Sequence, residues 1–254
     1  MDQVAAHLLC SPSKVSRMET GLRGATQRDV RDLCNLYEIT DEDERARLMT
    51  LAQEGKQPGW WQSFGLPYAD FVGLEQEAIS MKVYHSTVVP GLLQTGEYAR
   101  ALHEAALPKL DHEVIDQRVE ARFNRQRLLY RSDPPLIEII MDEAVLHRPV
   151  GGAAIMREQL ARIIEIADHP NVTIQILPFE LGAHPALESN FIILGFGERA
   201  PNIVYVEGLI PPALYRRPKD VQRYQQVFER LRGIGASPKD SADLISKGRE
   251  TYRG

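Results

Sequence analysis

At 254 residues, 43% hydrophobic and 26% charged, the chain has room for one large globular domain or two. Its two cysteines, Cys10 and Cys34, exclude a disulfide framework and a cysteine-rich zinc site, and no apolar run approaches the ~20 residues of a membrane span. A net charge of −5 argues against nucleic-acid binding over the whole surface, because phosphate contacts dominate such affinity. The charge is unevenly spread: residues 1–36 carry Lys14, Arg17, Arg23, Arg28 and Arg31 against four carboxylates, a net of +1. Both cysteines fall within helical apolar patterns, and no signal peptide precedes the first, so the expected compartment is the reducing cytoplasm.

The first elements lie in Val4 to Gly21, VAAHLLCSPSKVSRMETG. Val4, Ala5 and Leu8 form one apolar helical face, and Ala5 lets a second helix cross closely. Ser11 can cap that second helix and Pro12 suits its first position, where no amide donor is needed. Val15 and Met18 are its buried side, Ser13, Lys14, Ser16 and Arg17 point away, and Gly21 closes it. Two short helices with a tight turn, the second opening on small polar and basic residues, make a helix-turn-helix pattern. A solvated hairpin would instead alternate Glu and Lys. Ser13, Lys14, Ser16 and Arg17 are therefore expected in a DNA groove, with Ser11 and Arg23 near phosphates.

Thr26 opens a third helix with Asp29 in capping-box position and Val30, Leu33 and Leu36 to Tyr37 as its apolar face. Thr40 is the expected cap of a fourth, whose acidic first turn suits the helix dipole and whose Leu48, Met49 and Leu51 pack inward. Residues 55–59, GKQPG, read as a linker between a head, 1–54, and a second domain, 60–254. Trp60 and Trp61 follow in tandem as a hydrophobic anchor or a partner surface.

The second domain starts with a helix, becomes extended at Ser80 to Val89 and turns at Pro90-Gly91. A helix spans Gln94 to Leu107, and another, from Val114, carries several arginines on its expected solvent side. LIEIIMD is a continuously apolar strand, as a strand buried on both faces would be. A helix at GGAAIMREQLARIIEIADH leads to strands VTIQILPF, FIILGF and NIVYVEG, and two helices close the chain, the last capped by Ser237. This order predicts an α/β (α+β) layered domain behind a small all-α head. His184, Glu188 and Glu207 could line a pocket if their strands pair, giving a candidate ligand or partner surface. Glu75, Glu77, Asp142, Glu143 and the other histidines show no metal-ligand spacing. No catalytic motif is present, so neither an enzyme nor a cofactor is expected.

Residues 1–54 resemble the Xre-type, phage-repressor-like DNA-binding domain. That fold has one more helix before the motif, so the resemblance implies a head lacking its first helix, with Val4, Leu8 and Val15 exposed. From residue 58 to 250 the runs VGLEQEA, VVPGLLQTGEYAR, RVEARFNRQRLL, DEAVLHRPVGG, NVTIQILPFELGAHP and VYVEGL resemble the C-terminal domain of a large actinobacterial set of Xre-type regulators, described only as a domain of unknown function. Such proteins often lie beside a gene for a small partner protein, as antitoxins lie beside toxins, and some are linked to development or secondary metabolism. The resemblance implies a transcriptional regulator of double-stranded DNA whose second domain senses a small partner protein or a small-molecule effector, and the weak positive charge of residues 1–36 calls for a homodimer. The competing expectation is a chain that no longer binds DNA and acts through that domain as a binding module or, less readily, a biosynthetic enzyme.

Overall fold

The computed structural model describes residues 1–20, 23–55, 59–106, 109–208 and 212–252. They divide into two compact units, Met1–Gln62 and Ser63–Gly254. Gly21, the expected stop of the second helix, and 56–58 of the expected linker lie outside the described residues.

The first unit holds four helices among the described residues: α1 (Asp2–His7), α2 (Pro12–Glu19), α3 (Gln27–Leu36) and α4 (Glu42–Glu54). Ser11 caps α2, its hydroxyl accepting from the Lys14 amide at 3.2 Å, with Pro12 at the first helical position. Thr26 and Asp29 form the capping box of α3. The cap of α4 is Asp41 rather than Thr40: its carboxylate accepts from the Glu44 amide at 2.9 Å. Ala5, Leu8 and Val15 are buried together, with Val4, Cys10, Met18 and Leu33 packed against them. Leu8 and Val15 are thus covered, against the expectation that both would be exposed, because α1 lies across α2 and α3. Leu51 is 52% exposed rather than packed inward. The α1–α2 turn places Leu9 at φ +50°, with its side chain exposed. This is a left-handed conformation that costs an L-residue about 1–2 kcal/mol.

The second unit is built on a mixed six-stranded sheet, with helices α5 (Ala69–Glu77), α6 (Gly96–Glu104), α7 (His112–Gln126), α8 (Ala144–His147), α9 (Ala153–Ala167), α10 (Pro218–Ile234) and α11 (Pro238–Thr251) around it. The strands are β1 (Ser80–His85), β2 (Leu136–Asp142), β3 (Val172–Leu177), β4 (Phe191–Gly195), β5 (Ile203–Val206) and β6 (Ala213–Tyr215), in the order β3-β2-β1-β4-β5-β6. β1, β2 and β3 are parallel, whereas β4, β5 and β6 run antiparallel to their neighbours. β1 is shorter than expected, ending at His85. The chain departs from β1 to one side through β2 and β3, and later returns to its other side with β4. In open α/β sheets, ligand crevices lie outside the carboxyl ends of the strands where the direction of winding reverses.

Alternation fixes the two faces. Tyr84, Ile140, Phe191, Ile193 and Val204 pack under Val221, Phe228 and Leu231 of α10. On the opposite face Met81, Val83, His85, Ile139, Met141, Ile174 and Tyr205 are all buried, and Phe71 of α5 stacks on Tyr205 with ring centroids 3.9 Å apart. Burial on both faces explains the unbroken apolar runs of the central strands.

Candidate functional site

In the head, α2 turns Val15 inward and leaves Ser11, Ser13 and Arg17 exposed, with Ser16 half-buried beside them. Arg23 is also exposed, beyond the end of α2. No ion pair among the described residues holds Arg17 or Arg23. Lys14 departs from this set. Its ammonium lies 2.5 Å from Asp29 Oδ1, and only 20% of its side chain is exposed. Asp29 is buried and also accepts from the Thr26 amide at 3.0 Å and the Thr26 hydroxyl at 2.8 Å. Burial alone would raise the Asp29 pKa, but the Lys14 and Thr26 hydrogen bonds overcome it and hold the carboxyl at about 2. Lys14 therefore clasps α2 to α3, while Ser11, Ser13, Ser16 and Arg17 face solvent together with Glu19 at the end of the helix.

Trp60 and Trp61, both half-buried, meet edge to face at 5.9 Å. In the second unit, Gly182 bends the 182–190 loop at φ +61° and the loop is pinned to β1: Asn190 Oδ1 accepts from the Ser86 amide at 2.8 Å and its hydroxyl at 3.0 Å. His184 is drawn inside, its side chain 2% exposed and Nε2 3.5 Å from Tyr84 Oη and 3.4 Å from Asp142 Oδ2. Burial, with the Asp142 charge, raises the Tyr84 pKa and keeps its phenol protonated. Glu188 is exposed on the same loop. Beside it runs a cleft of 420 Å³, lined by Pro185, Ala186, Phe191, Tyr215 and Tyr224.

Glu207 does not join His184 and Glu188. Val206 pairs with Phe191, on the Tyr84 face, so alternation turns Glu207 to the opposite face. There its charge is felt by His85, Arg122, Arg125 and Tyr205. These residues form a polar cluster at the carboxyl end of β1. Arg125, 4% exposed, makes two 2.7 Å hydrogen bonds to Glu75, which is 0% exposed. Arg122 has no such partner. Its Nε, the Nδ1 of the buried His85 and the Nε2 of His103 are buried without a hydrogen-bond partner. Burial, followed by the charges of Arg122 and Arg118, lowers the His103 pKa to about 4; burial likewise lowers that of His85. The expectation of arginines on the solvent side of α7 fails for Arg122 and Arg125. A signal was present: Ile115, Val119, Arg122 and Gln126 share one stripe at helical spacing, so the polar pair continues a buried apolar face.

The fold and the exposed polar face of α2 define a chain with a helix-turn-helix head, the class of domain that places its second helix in the major groove of DNA. Residues 1–48 match the model of a helix-turn-helix domain. Residues 68–247 match the family described as Domain of unknown function (DUF5753), and the chain belongs to that family. Neither a curated protein nor a solved structure matches it. No helix among the described residues is long and apolar enough to cross a membrane.

Proposed function

We propose that the chain is a sequence-specific transcriptional regulator, with an Xre-type head that reads double-stranded DNA as a homodimer and a second unit that receives the regulatory signal. The observation that carries this reading is the division of α2 into a buried Val15 side and an exposed face of Ser13 and Arg17 free of internal ion pairs. Arg17 contacts a base edge, Ser13 and Ser16 approach the groove, and Ser11 and Arg23 take phosphates. Residues 1–36, which carry the helix-turn-helix, have a net charge of only +1 and gain little from phosphate attraction alone, and a dimer supplies the second half-site. The signal is a small partner protein encoded nearby or a small-molecule effector, as in the actinobacterial regulators the sequence resembles. The 182–190 loop with Glu188, and the Trp60-Trp61 pair, are the surfaces proposed for a protein partner. Selection of bound duplexes from a random pool tests the reading: enrichment of one palindromic or directly repeated sequence supports it, and a pool that stays random after repeated rounds overturns it.

A further inference from the structure

Of the two guanidiniums around β1 and α7, only one is paired directly with a carboxylate. Arg125 is matched by the buried Glu75 in a two-bond pair. Arg122 sits beside Arg125 against the same glycine: a Cβ at Gly91 would collide with Arg122 Nη1 and press on Arg125 Nη1 at 3.3 Å. No carboxylate of the described residues is in ion-pair contact with Arg122. The charges of Glu207 and Glu75 reach it only at a distance, and burial pulls its pKa down. A buried cation without a partner is costly, and so is each buried nitrogen without one. Here one guanidinium nitrogen, Arg122 Nε, and one nitrogen of each imidazole share the second condition. His85, 4% exposed, ends the strand at which the sheet reverses its winding, and Arg122 is half-buried, which leaves the cluster an approach from solvent.

We propose that Arg122, His85 and His103 form a binding site for a small oxyanion, a carboxylate or phosphate group, seated at the carboxyl edge of β1. The guanidinium offers a planar fork that matches either oxyanion, neutral His103 donates from Nε2, and His85, whose ring already donates to the Val88 carbonyl, donates from Nδ1 once the bound anion draws a second proton onto it. Gly91, in the Pro90-Gly91 turn, leaves the space in which that fork lies. The inference rests on the reading of the second unit as the part that receives the signal, and makes that signal a small anionic molecule.

Scanning calorimetry on the full chain tests it, with inorganic phosphate and succinate as separate probes. Binding of either raises the melting temperature of the second unit by about 3–5 °C at ten times its dissociation constant, and the probe that does so identifies the oxyanion class. In Arg122→Gln the rise is lost while the unliganded melting temperature is kept or increased, since a guanidinium without an ion-pair partner has been removed. Gly91→Ala, which retains the guanidinium but displaces it, loses the rise as well. Arg127→Gln, an exposed arginine just beyond α7, keeps it. No rise in the unaltered chain with either probe, or an equal rise in Arg122→Gln or Gly91→Ala, overturns the site. Affinity for the selected duplex is then measured with the active probe. A change supports an anionic signal, whereas an unchanged affinity beside a preserved rise refutes the signalling role and leaves the site standing.

Discussion

Replacing Asp29 by Asn removes one negative charge from the centre of the head while keeping its size and one acceptor oxygen. Asp29 receives the Lys14 ammonium at 2.5 Å and two hydrogen bonds from Thr26, the first residue bound by the α3 capping box. Its carboxyl falls from 3.8 to about 2, which at ~1.4 kcal/mol per pH unit corresponds to about 2.5 kcal/mol of folding free energy. Because the folded value lies below the unfolded one, this stability is fully present above about pH 4 and is lost as pH falls through about 2. Asp29→Asn is therefore expected to cost about 2–3 kcal/mol at pH 7 and to abolish that acid-dependent loss. Both of the chain's tryptophans, Trp60 and Trp61, lie in the first unit, so urea unfolding followed by their emission reports on this unit. A loss below about 0.5 kcal/mol, or an unchanged acid dependence between pH 4 and 2, would refute the reasoning.

Other consequences can be measured directly. Leu9→Gly relieves the left-handed turn between α1 and α2, and should raise the stability of the head by about 0.5–1 kcal/mol in the same assay. Glu75→Gln leaves the buried Arg125 guanidinium without its carboxylate and should cost the second unit about 3–5 kcal/mol, read by circular dichroism in urea. Sedimentation at micromolar concentration should show a dimer; a monomer both alone and with selected DNA would remove dimerisation from the proposal.

What could be read from the sequence was local. Ser11, Pro12, Thr26 and Asp29 act within three residues of their targets, so cap and capping box follow from spacing alone. Thr40 and Asp41 are both capable caps, and only the backbone path selects Asp41. The Lys14–Asp29 pair is illegible in the sequence for a different reason: the partner lies fifteen residues away on another helix, and helical periodicity does not report tertiary ion pairs. The strands were recognisable from their apolar runs, but not their directions, because β4 and β5 read alike whether parallel or antiparallel. β6, three residues long, carries too little pattern to be seen. Placing Glu207 beside His184 needed the register of β4 and β5, which puts them on opposite faces. The arginine cluster joins residues fifty positions apart, Glu75 and Arg125, around a turn at Gly91. Pattern alone offered only the clue that Arg122 and Gln126 continue a buried stripe.

The most direct test of the regulator reading is the affinity of Arg17→Ala for the selected duplex and for a scrambled duplex, by fluorescence anisotropy at one fixed salt concentration. Loss of a base-edge contact predicts about 1–3 kcal/mol weaker binding, roughly a 5- to 150-fold rise in Kd, on the selected duplex and little change on the scrambled one. Equal affinities of the variant and the unaltered chain on the selected duplex, or an equal loss on both duplexes, would contradict a reading helix that places Arg17 on the bases.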